Sequence, residues 1–284
     1  MKRTIAIAAI FAATVAIAEP RTFNNTFQRY HDIRARVDMT GGRYDNFTVV
    51  HKFGRSDSIG TTLVPITLSE VYRTPTNATA LEVVSSSAND TAAGSGAREI
   101  LIEGIGPDWL EQTELITMNG TTAVDSTQTW LRVYRAYVSQ SGTYATQSAA
   151  SHAGNITIQE DGGGDEWAVI AVEDSFGKGQ TEIGAYTVPS NKVGYLESIA
   201  IEVEGSKSVS FLMFQRPNAD DVTPPFSGTM RAFQELSAVD APIGETFETP
   251  IGPFVGPCDI GFMGNTASGT AKASVDFEIV LEDK

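Results

Sequence analysis

Hydrophobic and polar positions alternate with a period of two over much of the chain. In Ser198–Glu204, Ile199, Ile201 and Val203 fall on one face, and in Ala273–Leu281 the apolar face is Val275, Phe277, Ile279 and Leu281. A period of two places successive side chains on opposite faces of a strand. Short β-branched runs bounded by Gly, Asn, Asp, Ser and Pro clusters predict further strands. The first series is Phe47–Phe53, Ser69–Tyr72, Ala80–Ser85, Glu99–Gly104, Leu110–Met118, Trp130–Tyr137 and Asn155–Gln159. The second is Trp167–Val172, Ile183–Val188, Val193–Glu204, Val209–Gln215, Met230–Glu235, Thr246–Glu248, Asp259–Met263 and Ala273–Leu281. The one segment with any helical character is Thr26–Val37.

Turn signals separate these runs. Asn119-Gly120 predicts a hairpin, and Pro189-Ser190-Asn191-Lys192 a tight turn between strands. Pro217–Phe226 and the proline-bearing Ala241–Pro257 read as long loops. Asp161-Gly162-Gly163-Gly164-Asp165 is the strongest break in the pattern and predicts a domain boundary. The expected architecture is all-β, with β-sandwich or jelly-roll-like domains behind an extended N-terminal arm. The expected division is an arm over residues 1–45, a first β domain over 46–160, an acidic linker at 161–166 and a second β domain over 167–284.

The N-terminal twenty residues, MKRTIAIAAIFAATVAIAEP, break the alternation. Lys2 and Arg3 precede an apolar run from Thr4 to Ala18, and Ala16-Ile17-Ala18 fits a signal-peptidase site. As a helix the run measures about 22 Å, short of the roughly 20 residues that span a bilayer, so no membrane span is expected. Two readings stay open: a cleaved secretory signal, or an apolar segment buried against a partner chain.

Charge sharpens the second reading. The 284 residues carry 20 basic and 35 acidic side chains, a formal net charge of −15. Residues 1–55 are net +5 and the remaining residues net −20. An acidic body excludes nucleic acid as its ligand, whereas a basic arm on it points to a negatively charged partner surface. The single cysteine, Cys258, excludes a disulfide framework.

Signatures of catalysis are missing from the sequence: it has no G-x-S-x-G, no P-loop and no H-E-x-x-H. Of His31, His51 and His152, only His152 lies within the β-rich body as a candidate general base, and it reads as an exposed loop residue. Four carboxylates crowd Gln159–Glu166 without calcium-loop ligand spacing, so that stretch reads as a solvated linker. No catalytic residue, metal or cofactor is assigned.

A series of motifs covers most of the body. It runs VSSSANDTAAGSGAR (Val84–Arg98), MNGTTA (Met118–Ala123), LRVYRAY (Leu131–Tyr137) and YTVPSNK (Tyr186–Lys192), ending in SVDFEIVLED (Ser274–Asp283). In this order they resemble a group of β-rich virion structural proteins of tailed bacteriophages, especially marine ones. The resemblance implies a non-enzymatic particle component, first as a capsid decoration or cement protein on the outer shell. Its partners would be the major capsid protein or another virion protein, and its own copies, with a trimer favoured. A tail fibre, adaptor or other tail-associated protein is the alternative, with Trp109, Trp130 and Trp167 as candidate carbohydrate contacts. A secreted carbohydrate-binding or hydrolytic β-sandwich protein is the second alternative. The residues expected to bind a partner are Lys2, Arg3, Ile5, Ile7, Ile10, Phe11, Arg21, Arg29, Arg34 and Arg36 in the arm. Arg132 and Arg135 join them on a body strand, where each either faces a partner or pairs with nearby acids.

Overall fold

The computed structural model describes residues 37–38, 40–142, 151–173, 176–204, 207–223 and 229–284. The chain divides into two units, Met1–Arg43 and Tyr44–Lys284, and the second holds every strand found among the described residues. The expected helix over Thr26–Val37 lies outside the described residues except for Val37.

The strands begin with β1 (Phe47–Ile59) and β2 (Val64–Pro65). There follow β3 (Thr79–Ser85), β4 (Ala97–Ile105), β5 (Glu111–Thr117), β6 (Val124–Trp130), β7 (Arg132–Ser141), β8 (Ile156–Glu160) and β9 (Glu166–Ile170). After the short pair β10 (Val172–Glu173) and β11 (Phe176–Gly177) come β12 (Ala185–Val188), β13 (Lys192–Glu204) and β14 (Val209–Pro217). The last are β15 (Arg231–Val239), β16 (Ile243–Val255), β17 (Cys258–Asn265) and β18 (Ala271–Asp283).

Two antiparallel sandwiches result. One is built from sheets β6-β3-β8-β9 and β5-β4-β7, a contiguous piece of chain. The other is built from sheet β1-β18-β13-β16 and sheet β12-β17-β14-β15, with β2 also pairing β17. The first is therefore an insertion between β2 and β12 of the second, and we call them the inserted and terminal sandwiches. Alternation dictates both cores. Leu81, Val83, Ile100, Ile102, Ile156 and Ile158 fill the inserted one, and Ile199, Ile201, Val275, Phe277, Phe211 and Phe262 the terminal one. Each core also borrows from the other sandwich: Ile183 and Ala185 join the inserted core, and Ile105, Leu131 and Tyr134 the terminal core.

The all-β architecture agrees with the alternation, but the division of the chain differs from the expected one. The acidic glycine stretch 161–166 is not a linker. It is the turn of the β8–β9 hairpin, closed by Gly164 N donating to Glu160 O at 3.0 Å, with Gly162 and Gly163 at positive φ. β9 thus belongs with the residues before the turn, while β1 and β2 belong with the residues after it. A glycine-rich break looks the same in sequence whether it joins domains or paired strands.

Three local expectations also change. Ala241–Pro257 is mostly strand, because β16 is an edge strand and Pro250 and Pro253 can there dispense with a ladder N–H. β6 was not expected, because its residues Asp125–Thr129 are polar on both faces. Asn119-Gly120 is no hairpin: β5 and β6 lie in different sheets, and the turn crosses between them. Gly120, at φ +64°, donates its N–H to Asp90 O at 2.7 Å and accepts from Ser85 N at 3.0 Å.

That turn docks on a loop organised by one carboxylate. Asp90, fully buried, accepts from Ser85 Oγ (2.5 Å), Ala97 N (2.7 Å), Ala153 N (2.8 Å) and Gly154 N (2.9 Å). Gly96 must be glycine, since a Cβ there would lie 2.0 Å from Asp90 Oδ1. Replacing Asp90 by Ala strands four donors in the protein interior, at 1–3 kcal/mol for each unsatisfied group. Asp90→Ala is therefore expected to destabilise the body by at least about 3 kcal/mol, read as the loss of unfolding free energy in urea.

Candidate functional site

The chemistry-bearing side chains of the body gather at the seam between the sandwiches, and β7 supplies the first of them. Its register slips at Tyr134, where Arg135 pairs with Glu103 and Val133 with Gly104. This β-bulge changes the phase of the strand, so Val133 and Ala136, three apart, both enter the inserted core. Arg132 and Tyr134 are left facing the terminal sandwich.

Arg132 is 1% exposed and meets Asp259 of β17 in a forked pair, Nε to Oδ1 and Nη2 to Oδ2, both at 2.9 Å. Its Nη1 donates to Leu131 O at 2.8 Å, and its guanidinium lies 5.1 Å from the Trp109 ring centre. Thr187 Oγ1 donates to Asp259 Oδ1 at 2.6 Å, and Tyr72 OH lies 2.7 Å from Thr187 Oγ1. Since the Thr187 proton is given to Asp259, Tyr72 donates to Thr187. The chain of bonds runs Tyr72, Thr187, Asp259, Arg132, from the connecting segment through two neighbouring strands of the terminal sandwich to the inserted sandwich. Burial pushes the Tyr72 phenol upward, with Asp259 adding to the effect and Arg132 opposing it.

A second polar group lies beside it. Glu111 Oε1 accepts from Tyr186 OH at 2.7 Å and Tyr134 OH at 3.2 Å. The two rings stand 4.8 Å apart. Burial, then Glu111, raises both phenols well above their usual range, so both stay protonated donors. Lys52 of β1 is 3% exposed and donates from Nζ to Tyr134 O. Burial, then Arg135, lowers its pKa to about 7, with Glu103 opposing. Segment 178–182 completes the seam along β7, with Val138 N donating to Gly179 O and Thr181 N to Ala136 O, each at 2.8 Å.

Of the residues expected to bind a partner, Lys2, Arg3, Ile5, Ile7, Ile10, Phe11, Arg21, Arg29, Arg34 and Arg36 lie outside the described residues. Arg132 does not present a partner-binding surface. It takes its other expected course, pairing with an acid, because the terminal sandwich covers its face of β7. Arg135 sits on the uncovered part of that face, with its side chain 44% exposed, 3.9 Å from Glu103 and 4.8 Å from the Tyr137 ring centre.

Trp130 and Trp167 are buried in the inserted core, and Trp109 is half-buried under Arg132, so the three do not line a carbohydrate site. His152 is not an exposed loop residue: it is 2% exposed, with Nε2 3.1 Å from Ala171 O. Burial lowers its pKa, with Asp90 opposing. Cys258 is buried beside Asp259, and burial, then Asp259, pushes its thiol up to about 12, which leaves it unreactive. Carboxylate oxygens of Glu82, Asp125 and Asp161 approach within 4.8 Å of one another. Those of Glu82 already accept from Gln159 Nε2, Gly162 N and Gly163 N. A cavity of about 390 Å³ opens beside the seam, with Phe214, Met230, Met263 and Tyr72 as apolar walls and Arg216 and Asp259 as its charged groups. Among the described residues, no helix is long and apolar enough to cross a membrane.

Arg132→Leu leaves the Asp259 charge buried and is expected to cost about 3–5 kcal/mol. The double variant Arg132→Leu, Asp259→Leu should recover most of that loss in urea unfolding, because no charge is then stranded. Lys52 binds a proton more weakly in the folded chain than in the unfolded one, whose lysine pKa is 10.5. Its contribution to stability therefore rises with pH from 7 toward 10.5 and is smallest below 7. The Cys258 thiol acts in the opposite direction above pH 9, so the clean window is pH 7 to 9. There the wild type should gain stability relative to Lys52→Met, read from urea midpoints at pH 7, 8 and 9.

No family model and no curated protein matches the chain. Among solved structures it is similar to that of the infectious bursal disease virus Gt strain, at 10% identity and a TM-score of 0.22, covering 83% of this chain and 72% of that one. The structure of the Gx strain of the same virus is similar at 9% identity and a TM-score of 0.23, over 84% of this chain and 71% of that one. The T=1 particles derived from that virus are similar at 10% identity and a TM-score of 0.21, over 84% and 74%.

Proposed function

We propose that the chain is a non-enzymatic structural protein of a bacteriophage particle. It decorates the outer capsid shell and stabilises it through residues 1–45 and through contacts between its own copies. The observation that carries this reading is how the structure uses the motifs behind the virion resemblance. Asp90 gathers the Ser85–Gly96 loop, Asn119-Gly120 docks on it, and Arg132 bolts the inserted sandwich to the terminal one. These three motif residues are used to hold strands and sheets together. A protein whose work is interface area needs such a body: rigid, with its reactive groups paired internally and its strand edges outermost.

The charge map gives the mode of attachment. The body is acidic, so the basic residues of the N-terminal segment supply the attraction to an acidic surface, and the apolar run Ile5–Ile17 supplies buried area.

Gradient-purified particles provide the test. Quantitative mass spectrometry should find this chain in copy number comparable to the major capsid protein. Deleting residues 1–45 should abolish attachment to particles while leaving the β body folded by circular dichroism. Attachment that survives the deletion overturns the role of the segment. A copy number far below that of the capsid protein moves the chain to the tail. Absence from particles overturns the reading altogether.

A further inference from the structure

The sequence contains a single Asn-Gly step, Asn119-Gly120. That dipeptide has a chemistry of its own, and its place in the fold decides whether the chemistry runs. Asparagine is among the thermolabile residues. The nitrogen of the following residue, once it sheds its proton, attacks the side-chain carbon Cγ. A C–N bond closes a succinimide ring, the Cγ–Nδ2 bond breaks, and ammonia leaves with a proton. Water then opens the ring at either carbonyl, to aspartate or to isoaspartate. The net exchange is water in and ammonia out, with nothing oxidised or reduced. Glycine is the most permissive following residue, because it has no side chain to crowd its nitrogen or restrict its backbone.

Asn119 is exposed to that water, but Gly120 is buried, and the step is tied down on both sides. Gly120 N donates to Asp90 O at 2.7 Å, and Gly120 O accepts from Ser85 N at 3.0 Å. Asn119 O accepts from Thr122 N at 3.2 Å, and Asn119 bridges Thr91 of the Asp90 loop. Just before it, Met118 N donates to Arg98 O at 2.9 Å and Met118 O accepts from Ala92 N at 3.0 Å. Packing is equally close: a Cβ on Gly120 would lie 3.2 Å from Ala88 Cα and from Thr91 Cγ2. Cyclisation requires Gly120 N to give up the proton that Asp90 O holds. It also requires the peptide between the two residues to turn toward the Asn119 side chain. That peptide carries both Asn119 O and Gly120 N, so it cannot turn without breaking their bonds. The docked turn forbids the reaction, and a turn lifted off the loop permits it.

We propose that Asn119 is a latent modification site: docking on the Asp90 loop keeps it asparagine, and each opening of that loop exposes it to conversion to aspartate or isoaspartate. Asp90 is the lock. Its carboxylate gathers Ser85, Ala97, Ala153 and Gly154, and its own carbonyl holds Gly120. Isoaspartate routes the main chain through the side chain and lengthens the backbone there by a methylene. Met118 O, Gly120 N and Gly120 O then no longer fall in register with Ala92 N, Asp90 O and Ser85 N, so the converted turn does not redock. The conversion is one-way and accumulates as a record of how often the loop has opened. It concerns the body alone and stands whether or not residues 1–45 bind a particle.

The test uses the full chain in mildly alkaline buffer at constant temperature, with urea raised in steps from none to full unfolding. Peptide mass spectrometry counts conversion at Asn119, and amide hydrogen exchange at Gly120 measures opening of the turn. Conversion without urea should be at least about tenfold slower than in the unfolded chain, and it should rise in step with Gly120 exchange as urea is added. Ser85→Ala removes one donor from Asp90 without emptying the loop of its acceptor. It is expected to raise both rates together, about three- to tenfold, in a body still folded by circular dichroism. Conversion as fast in buffer as in the unfolded chain overturns the proposal. So does Gly120 exchange that quickens with no gain in conversion, and so does a Ser85→Ala variant that leaves both rates unchanged.

Discussion

Everything in the body depends on the buried pair of Arg132 and Asp259. It joins a strand of the inserted sandwich to a strand of the terminal one with both side chains 1% exposed. A fully buried ion pair gives little net stability against an apolar substitute of the same volume, because desolvating two charges offsets most of their attraction. Its value is discrimination. Any other apposition of the two sandwiches would bury a guanidinium without its carboxylate, and the planar fork admits one geometry where a lysine would admit many. Thr187 and Tyr72 extend the constraint: Asp259 Oδ1 takes a second donor, and the segment between β2 and β3 is tied to the same point. The seam thus fixes how an insertion of strands sits on the sandwich that encloses it.

Around that pair, neutral hydroxyls do what further charges could not. Tyr134 and Tyr186 remain protonated and converge on Glu111, so one carboxylate satisfies two buried phenols. Lys52 is the exception, a side chain whose pKa burial and then Arg135 lower to about 7, so that it carries its charge only part of the time at neutral pH. Asp90 solves the same problem by taking four donors itself. At Asp90 buried polarity is tolerated because each donor around it has its acceptor, and incomplete networks are the costly ones.

The strands were legible where alternation was strong. β13 and β18 show period two over most of their length, and both were read from sequence because one face packs in the core and the other does not. β16 was hidden because prolines signal loops in a central strand and are permitted only at an edge, and edge status is a property of the assembled sheet. β6 was hidden because a strand whose middle is polar on both faces carries no periodic signal. The turn at 161–166 was visible as a break, but its meaning depended on whether β8 and β9 pair, which local composition does not encode. Arg132 and Arg135 look alike in sequence; a covering sandwich separates them, burying one and leaving the other at the rim. Asp259 gave no signal, since its partner lies 127 residues away.

The charge asymmetry acquires its physical sense once the seam is in place. Inside the body, acids are matched by donors brought from distant strands, so burial selects for pairing rather than for sign. Exposed positions face no such selection, and there the excess of acid accumulates, as at Glu235 of β15, Asp240, and Glu245 and Glu248 of the edge strand β16. A one-signed surface resists the nonspecific edge-to-edge pairing that a long bare strand invites.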